Sequence, residues 1–354
     1  MDHDTDLPGH VERVLARFLH ESGARILATE PGFASGVDSL TEFVLRGGKR
    51  LRPTFAWWAW RGAGGEDTDA EGVLQAVASL ELVQACALIH DDLIDSSGSR
   101  RGRPTVHVAF ADLHTSQQWS GLPSSYGLAM AVLIGDLALA WADDMFAAAP
   151  LPAATLAAAR PVWRAMRTEV LAGQCLDIHT QATGDASPEA ALRVSRLKTA
   201  AYTVERPLHL GAVLAGAPSA QVAALREFGR ELGTAFQLRD DLLGVFGDPS
   251  VTGKPAGDDL REGKRTLLIA LGLRQAGPAQ AEVITAALGN PALSEKEVDQ
   301  VRATLREAGA VSAVETRIDE LTGTALSALR QAKLTEPATT ALADLAARAT
   351  QRTH

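Results

Sequence analysis

The sequence predicts an all-α protein. Alanine and leucine dominate it, and apolar side chains recur at intervals of three and four positions, which is the spacing of one face of a helix. The alternation of apolar and polar residues that is typical of half-buried strands is scarce. Hydrophobic residues make up 46% of the 354 residues and charged residues 22%, so we expect a chain that folds around a core.

The same periodicity predicts the individual helices. They are expected at residues 9–29, 35–45, 52–62, 69–96, 104–112, 126–148, 152–181, 187–215, 218–246, 264–275, 278–288, 294–308, 311–332 and 336–350. Two of the starts carry capping signals: Ser187 precedes a proline at the first helical position, and Ser294 forms a capping box with Glu297. The longest predicted loops are 96–103, 112–125 and 247–263, and loops of this length in a compact bundle usually serve a binding site.

Composition narrows the setting of the protein. No repeat, low-complexity linker or change in composition divides the chain, so a single domain spanning residues 1–354 is expected. The formal charge of −9 argues against non-specific nucleic-acid binding, for which a basic surface is typical. Cys86 and Cys175 both lie in apolar helical stretches and are predicted to be buried thiols, which fits a cytoplasmic location.

Neither a signal peptide nor a membrane span is expected. The N-terminal sequence MDHDTDLPGH is acidic and lacks the basic and then apolar pattern of a signal peptide. The best candidate for a span is residues 126–145, but this stretch carries Asp136, Asp143 and Asp144, which are costly in hydrocarbon.

The first motif of chemical interest is LIHDDLIDSSGSRRGRPTVH, residues 88–107. Asp91 and Asp95 are four residues apart, so on a helix their carboxylates share one face, with Asp92 on the flank. Like charges at this spacing repel each other. A pair of carboxylates on one face suits Mg²⁺, which is commonly shared between a protein and the phosphates of its substrate.

A second acidic motif, FQLRDDLLGVFGD, follows at residues 236–248. It places Asp240 and Asp241 in an apolar helix, and a glycine-rich loop with Lys254, Lys264 and Arg265 comes next. Two acidic helix ends, each followed by a basic loop, are expected to face each other across a cavity. They would hold a polyanion through bridging metal ions on one side and through lysine and arginine on the other.

A third motif, GGKRLRP at residues 47–53, is a glycine turn that leads into a helix. The start of a helix is a favourable place for an anion. The predicted start of this one is surrounded by Lys49, Arg50 and Arg52. Together with Arg100 and Arg101, this turn predicts a second anion site that needs no metal.

Five segments in a fixed order carry a family resemblance. They are GGKRLRP, LIHDDLIDSSGSRRGRPTVH, GQCLD at 173–177, the Lys198-Thr199 pair, and FQLRDDLLG with its GKPAGDDLREGKRT tail. The chain resembles the trans-isoprenyl diphosphate synthases, and most of all the bacterial geranylgeranyl diphosphate synthases. The resemblance implies a single-domain orthogonal helical bundle around a deep central cavity, and a homodimer. It also implies Mg²⁺-dependent condensation of isopentenyl diphosphate with dimethylallyl, geranyl and farnesyl diphosphates.

The resemblance also implies roles for individual residues. Three Mg²⁺ ions would bind with the allylic diphosphate at the two aspartate motifs, namely Asp91, Asp92, Asp95, Asp240 and Asp241, the last mainly through water. The basic groups on the allylic diphosphate would be Arg100, Lys198, Lys254 and Lys264. The isopentenyl diphosphate pocket would be formed by Gly48, Lys49, Arg52, Gln84 and Arg101. The residues along the path of the carbocation would be Thr199 and Gln237.

One position departs from the family pattern. The second motif reads DDLLG, with Gly244 where many members have a third aspartate. Asp248 lies four residues later, so it is a candidate to compensate. We expect weaker or more water-mediated binding of the third metal ion, with activity retained.

The resemblance also implies that the residues just upstream of Asp91 set product length. Cys86 and Ala87 are small, and Val83 and Leu82 lie one turn further back, about 5.4 Å along the helix. The other wall is expected from the 126–148 helix, including Met130 and Leu133. With no aromatic residue at positions 86 and 87, the tail should pass the C15 stage. The medium-sized side chains further along, and the likeness to bacterial geranylgeranyl diphosphate synthases, favour the C20 product geranylgeranyl diphosphate, with the C15 product or products of C25 and above as alternatives.

Two other classes of protein fit the motifs less well. A class I terpene cyclase would need an Asn/Asp-Asp-x-x-Ser-x-x-x-Glu metal site, and residues 236–266 contain none. It would also have no use for a second anion pocket at Lys49 and Arg52. A non-catalytic partner subunit is expected to have lost its aspartates or its basic residues, whereas this chain retains both.

Overall fold

In the computed structural model the described residues are 3–247 and 257–350, and their regular structure is almost all helical. The all-α prediction is therefore confirmed. The helices up to residue 214 are α1 (Leu7–Leu27), α2 (Ala34–Leu45), α3 (Leu51–Gly62), α4 (Ala70–Ala78), α5 (Leu80–Ile94), α6 (Val106–Ser116), α7 (Pro123–Ala147), α8 (Ala153–Thr183), α9 (Pro188–Val194) and α10 (Arg206–Leu214). The later helices are α11 (Ser219–Phe246), α12 (Asp258–Arg261), α13 (Leu267–Gln275), α14 (Pro278–Ala287), α15 (Glu295–Glu307), α16 (Ala310–Gln331) and α17 (Ala338–Thr350).

Three kinds of shorter element complete the described chain. Pro31–Phe33 and Asp67–Asp69 are 3₁₀ turns, and Ser195–Glu205 is a π-helical segment between α9 and α10. Strands β1 (Ser99–Arg100) and β2 (Arg103–Pro104) form an antiparallel hairpin that begins in the predicted 96–103 loop and ends one residue beyond it, at the predicted start of the 104–112 helix. This hairpin directly follows the first aspartate motif.

The structure divides two helices that were predicted to be continuous. The predicted 69–96 helix is interrupted at Ser79, whose buried hydroxyl donates a hydrogen bond to the carbonyl of Ala76 at 2.6 Å. A side chain that bonds to the backbone in this way competes with regular helix geometry. The predicted 187–215 helix contains the π-helical segment, and both predicted caps are present at Ser187 and Ser294.

The packing of α5 positions the site. Leu82, Cys86 and Ile89 on one face are buried in the same apolar cluster as Ile134 and Ala138 of α7. Apolar residues at three- and four-residue spacing occupy only one side of a helix. The other face of α5 can therefore line the cavity. On the opposite side of the cavity, α11 packs closely against the π-helical segment.

Two findings concern exposure. Cys86 is buried as predicted, and burial raises the pKa of its thiol to about 12, but Cys175 is exposed on α8, contrary to prediction. Two helical stretches, Asp67–Ile94 and Pro123–Ala147, are long and apolar enough to cross a membrane by length and composition alone. The first is mostly buried within the fold, as core helices of soluble proteins are, and the second is α7 with its three aspartates.

Candidate active site

Most of the residues predicted for the site line one cavity. It has a volume of about 1350 Å³ and is bounded by α2, α5, α6, α8, the π-helical segment and α11. The predicted residues that line it are Gly48, Lys49, Arg52, Gln84, Ala87, Asp91, Arg100, Arg101, Lys198, Thr199, Gln237, Asp240, Asp241 and Lys264. The predicted residues outside its lining are Val83, Cys86, Asp92 and Asp95. Lys254 and Asp248 lie outside the described residues.

The aspartates of the first motif lie among cationic side chains. Asp91 Oδ1 is 2.9 Å from Lys198 Nζ, and Asp91 Oδ2 is 3.9 Å from a guanidinium nitrogen of Arg100. Asp95, one turn later, is 3.7 Å from Lys264 Nζ. Burial alone would raise the pKa of Asp91, but the charges of Lys198 and Lys264 outweigh it and lower that pKa. Burial, together with the charge of Asp91, raises the pKa of Asp95 to about 6. The nearby lysines therefore do not fully neutralise this pair of carboxylates.

Asp92 is not placed to bind a metal ion, which corrects its assignment from the motif. Its side chain is 1% exposed, and its carboxylate accepts hydrogen bonds from the Arg100 guanidinium at 2.6, 2.8 and 2.9 Å. Adjacent helical residues point about 100° apart, so Asp92 faces away from the side of α5 that carries Asp91. The Asp92–Arg100 pair instead ties the hairpin to the end of α5 and places Arg100 beside Asp91.

The GQCLD motif positions the lysine that bridges two carboxylates. A β-carbon at Gly173 would overlap the backbone of Lys198, so only glycine allows α8 to approach the π-helical segment so closely. Asp177, one turn after Gly173, accepts a hydrogen bond from Lys198 Nζ at 2.6 Å. Burial alone would lower the pKa of Lys198, but Asp91 and Asp177 outweigh it and raise that pKa. Lys198 is therefore held as a cation at the cavity wall.

The second motif lies on α11 and lines the same cavity. Asp240 is half-buried, whereas Asp241 is 5% exposed and accepts a hydrogen bond from Gln237 Nε2 at 2.6 Å. Burial raises the pKa of Asp241 to about 8. Asp240 is thus the more accessible carboxylate of this pair.

Lys264 connects the two acidic motifs. Its ammonium group is 3.7 Å from Asp95 and 3.2 Å from Asp259, and it also pairs with Glu262. Burial alone would lower the pKa of Lys264, but these carboxylates outweigh it and raise that pKa well above the ordinary value. A cation with several carboxylate partners is well placed to exchange one of them for a diphosphate oxygen.

The donor set fits Mg²⁺. Asp91, Asp95 and Asp240 offer hard carboxylate oxygens, and each has a cation nearby or a place on the cavity wall. Among residues 3–247 and 257–350, no three histidine, cysteine, aspartate or glutamate side chains converge as a complete metal cage. Mg²⁺ is usually bound by one or two carboxylates, with water and substrate phosphates completing its six ligands. This arrangement therefore suits an ion that arrives with a diphosphate.

The glycine turn forms a basic rim on the cavity. Gly47, Gly48 and Arg50 have φ values of +89°, +150° and +47°, so the backbone turns sharply before α3 begins. Lys49 is exposed on this turn and lines the cavity. Arg101 of the hairpin donates a hydrogen bond to the carbonyl of Gly47 at 3.0 Å, which joins the two basic segments.

Sequence reasoning missed two residues behind this rim. The guanidinium of Arg52 lies over the ring of Tyr202, 4.2 Å from its centroid, and donates a hydrogen bond to Thr203 Oγ1 at 2.7 Å. The Tyr202 hydroxyl donates to Gln84 Oε1 at 2.9 Å, which leaves the amide nitrogen of Gln84 as a donor toward the cavity. Tyr202 and Thr203 follow the Lys198-Thr199 pair by about one turn. Their closeness in sequence to a predicted site was the signal that could have identified them.

The apolar wall of the cavity differs from the prediction. Ala87 and Leu88 line it, but Cys86 and Val83 are 5% and 2% exposed in the core on another face of α5. Leu133 is 54% exposed and points away, and Met130 does not contribute either, because α7 packs behind α5. The opposite wall comes instead from α6 and α8, through Val106, Ala109, Phe110, Leu113 and Val170.

Comparison with known proteins agrees with this geometry. A model of the Polyprenyl synthetase family matches residues 37–305. The geranylgeranyl diphosphate synthase of Mycobacterium tuberculosis is 33% identical over 314 residues, which cover 88% of this chain and 84% of that protein. The geranylfarnesyl diphosphate synthase of Aeropyrum pernix is 35% identical over 277 residues, covering 77% and 80%.

A solved structure is also very similar. The geranylgeranyl pyrophosphate synthase of Corynebacterium glutamicum, complexed with isoprenyl diphosphate and magnesium, matches all of both chains with a TM-score of 0.96 and 45% identity. The resemblance inferred from the motifs is thereby confirmed. The chain belongs to the polyprenyl synthetase family and is a prenyl-transferring enzyme with that family's all-α fold.

Proposed function

We propose that this protein condenses isopentenyl diphosphate with the allylic diphosphates dimethylallyl, geranyl and farnesyl diphosphate, and that its main product is geranylgeranyl diphosphate. The observation that carries this proposal is the shared cavity, in which two aspartate-bearing helices face each other beside a separate basic rim. Two anion sites on one cavity fit two diphosphate substrates. We further propose that three Mg²⁺ ions bind with the allylic diphosphate, at Asp91, Asp95 and Asp240.

The charges of the site suit ionisation of the allylic carbon–oxygen bond. Bound Mg²⁺ would supply positive charge to the diphosphate leaving group. Lys198, Lys264 and Arg100 add fixed positive charge where negative charge develops, so the barrier to ionisation falls. Arg52, Lys49 and the Gln84 amide would hold isopentenyl diphosphate so that its double bond attacks the allylic cation.

The steps after ionisation depend more on the exclusion of water than on a protein base. After the new carbon–carbon bond forms, one proton is lost, and the released diphosphate is the acceptor that the site provides. Thr199 and Gln237 line the cavity beside the reacting carbons in this arrangement. Water would quench the cation, so the apolar wall of Leu88, Phe110 and Leu113 also protects the intermediate.

One assay tests the proposed function directly. Purified protein is incubated with radiolabelled isopentenyl diphosphate, an allylic primer and Mg²⁺, and the dephosphorylated products are sized by chromatography. A main C20 alcohol supports the proposal, while C15 or C25 alcohols would reassign the product. A hydrocarbon would indicate a cyclase, and no incorporation would count against prenyl transfer.

Replacing Ala87 with phenylalanine should shift the main product from C20 toward C15. Ala87 lines the cavity on the α5 face that also carries Asp91, so the larger ring shortens the space for the growing tail. Phe110→Ala on the opposite wall should shift products to greater length. Chromatography of the alcohols measures both changes, and an active Ala87→Phe enzyme with an unchanged distribution would contradict this path for the tail.

Lys49→Ala should raise the KM for isopentenyl diphosphate much more than the KM for the allylic primer. Lys49 lies on the basic rim, away from the aspartate motifs, and a lost charge-assisted contact costs about 1.5–3 kcal/mol. Steady-state kinetics with each substrate varied in turn separates the two constants. A larger rise for the allylic primer would mean that the two pockets are assigned the wrong way round.

We also propose that the protein is a homodimer. Large apolar side chains remain exposed on and around α7 and α8, namely Trp119, Leu122, Leu128, Val132, Leu133, Leu171 and Ile178. An exposed patch of this kind is typical of a protein–protein interface. Light scattering after gel filtration should give twice the chain mass for the wild type. The Leu133→Glu variant should give the mass of one chain, without a loss of thermal stability in the monomer. A wild-type monomer would refute the proposal.

A further inference from the structure

The departure in the second aspartate motif has a structural counterpart. Gly244 lies four residues after Asp240 on α11, so the two share a helix face and both line the cavity. A β-carbon built at Gly244 would overlap Oδ2 of Asp259 and lie 2.6 Å from its Cγ. The carboxylate of Asp259 therefore occupies the space that a side chain at position 244 would fill.

Asp259 reaches this space from a different element. It belongs to α12, which follows the part of the chain outside the described residues, and it lines the cavity together with Asp240. Its side chain is 16% exposed, and its Oδ1 is 3.2 Å from Lys264 Nζ. Lys264 is in turn near Asp95, so Asp259 belongs to the charge network that joins the two acidic motifs.

The absence of a side chain at position 244 is what permits this arrangement. Any β-carbon there would push the carboxylate of Asp259 out of the α11 surface. An aspartate at position 244 would bring a second carboxylate into the same volume, where like charges repel. The chain thus has room for one carboxylate beside Asp240, and α12 provides it.

We propose that Asp259 is the third carboxylate of the second metal site and replaces the aspartate that the DDLLG motif lacks. In this role it acts with Asp240 on the Mg²⁺ ion that accompanies the diphosphate. Asp248, the candidate that sequence spacing suggested, is not needed for it. The inference rests on the proposed function, because it assumes that the cavity binds a metal–diphosphate complex.

Binding of Mn²⁺ in the presence of inorganic diphosphate tests the proposal without any turnover. Electron paramagnetic resonance of free Mn²⁺ gives the number and affinity of the bound ions. Asp259→Asn should weaken at least one ion by between about 10-fold and 100-fold, the usual cost of losing a residue that supports a metal site. Gly244→Ala should weaken the same ion, because the added methyl group displaces the carboxylate of Asp259 while leaving that residue intact.

Two combined variants make the test specific. Adding Gly244→Ala to Asp259→Asn should cause no further loss, since the carboxylate is already gone. The exchange Gly244→Asp with Asp259→Gly returns one carboxylate to the same space from α11, so it should bind Mn²⁺ more tightly than Asp259→Gly alone.

Three results would overturn the inference. They are wild-type Mn²⁺ affinity in Asp259→Asn, additive losses in the Gly244→Ala combination, and no recovery in the exchange variant. The radiolabel assay on the unmodified protein is run in parallel. A wild-type protein that binds Mn²⁺ with diphosphate but incorporates no isopentenyl diphosphate would contradict the proposed function and leave the role of Asp259 intact.

Discussion

Asp91→Ala should reduce turnover by at least about 10³-fold. Asp91 lines the cavity between Lys198 and Arg100, and under the proposed function it is a metal ligand that is needed when the allylic bond ionises. Lys198 keeps Asp177 as a partner at 2.6 Å, so its buried charge is not left alone and the fold should persist. The measurement is kcat under saturating substrates and Mg²⁺.

A matched control is available on α15. Asp299 is 72% exposed and pairs with Arg302 at 3.1 Å, on a helix that does not line the cavity. Asp299→Ala removes the same charge and should change kcat by less than about twofold, in line with the small effects of exposed ion pairs. A folded Asp91→Ala protein whose kcat stays within tenfold of the wild type would contradict the assignment of Asp91.

Glu81→Ala should lower the free energy of unfolding by about 3–5 kcal/mol. Glu81 on α5 and Arg50 on the glycine turn form an ion pair at 2.8 Å, and the two side chains are 8% and 4% exposed. Removing one partner leaves the other charge buried. Arg50 would then keep the carbonyl of Val44 and a carboxylate at 4.0 Å on Glu12, whose side chain is 49% exposed, while its buried Nε has no hydrogen-bond partner. Urea unfolding followed by circular dichroism measures the change.

Two comparisons show whether burial is the cause. Glu320→Ala breaks the Arg317–Glu320 pair at a similar distance, 3.0 Å, but these side chains are 46% and 59% exposed, so the loss should be at most about 1 kcal/mol. Replacing both buried partners, as Arg50→Met with Glu81→Leu, should recover most of the stability. Equal losses in Glu81→Ala and Glu320→Ala would refute the argument.

Local features of the sequence predicted much of the molecule. The three- and four-residue spacing of apolar side chains identified the helices, and caps at Ser187 and Ser294 marked two of their starts correctly. The spacing of Asp91 and Asp95 placed both on one helix face before any fold was known. These properties depend on residues within one or two turns of each other, so the chain can encode them without reference to distant segments.

Helix faces were harder to predict. Cys86 and Ala87 are adjacent and both small, yet only Ala87 lines the cavity, because α7 covers the side of α5 that carries Cys86. Asp92 looked like a ligand beside Asp91, but it is buried against Arg100. Periodicity says that a helix has an apolar face, whereas the position of each neighbouring helix decides which residues that face contacts.

The pairs that join distant parts of the chain were decided by tertiary structure alone. Arg50 and Glu81 are separated by 31 residues, Tyr202 and Gln84 by 118, and Gly244 on α11 meets Asp259 on α12. A single sequence contains the motifs but does not give the distance between them. The sequence by itself determined the helices and the chemical character of each motif; the packing of α5, α8, α11 and α12 decided which charges meet, because ion pairs and hydrogen bonds act only over a few ångströms.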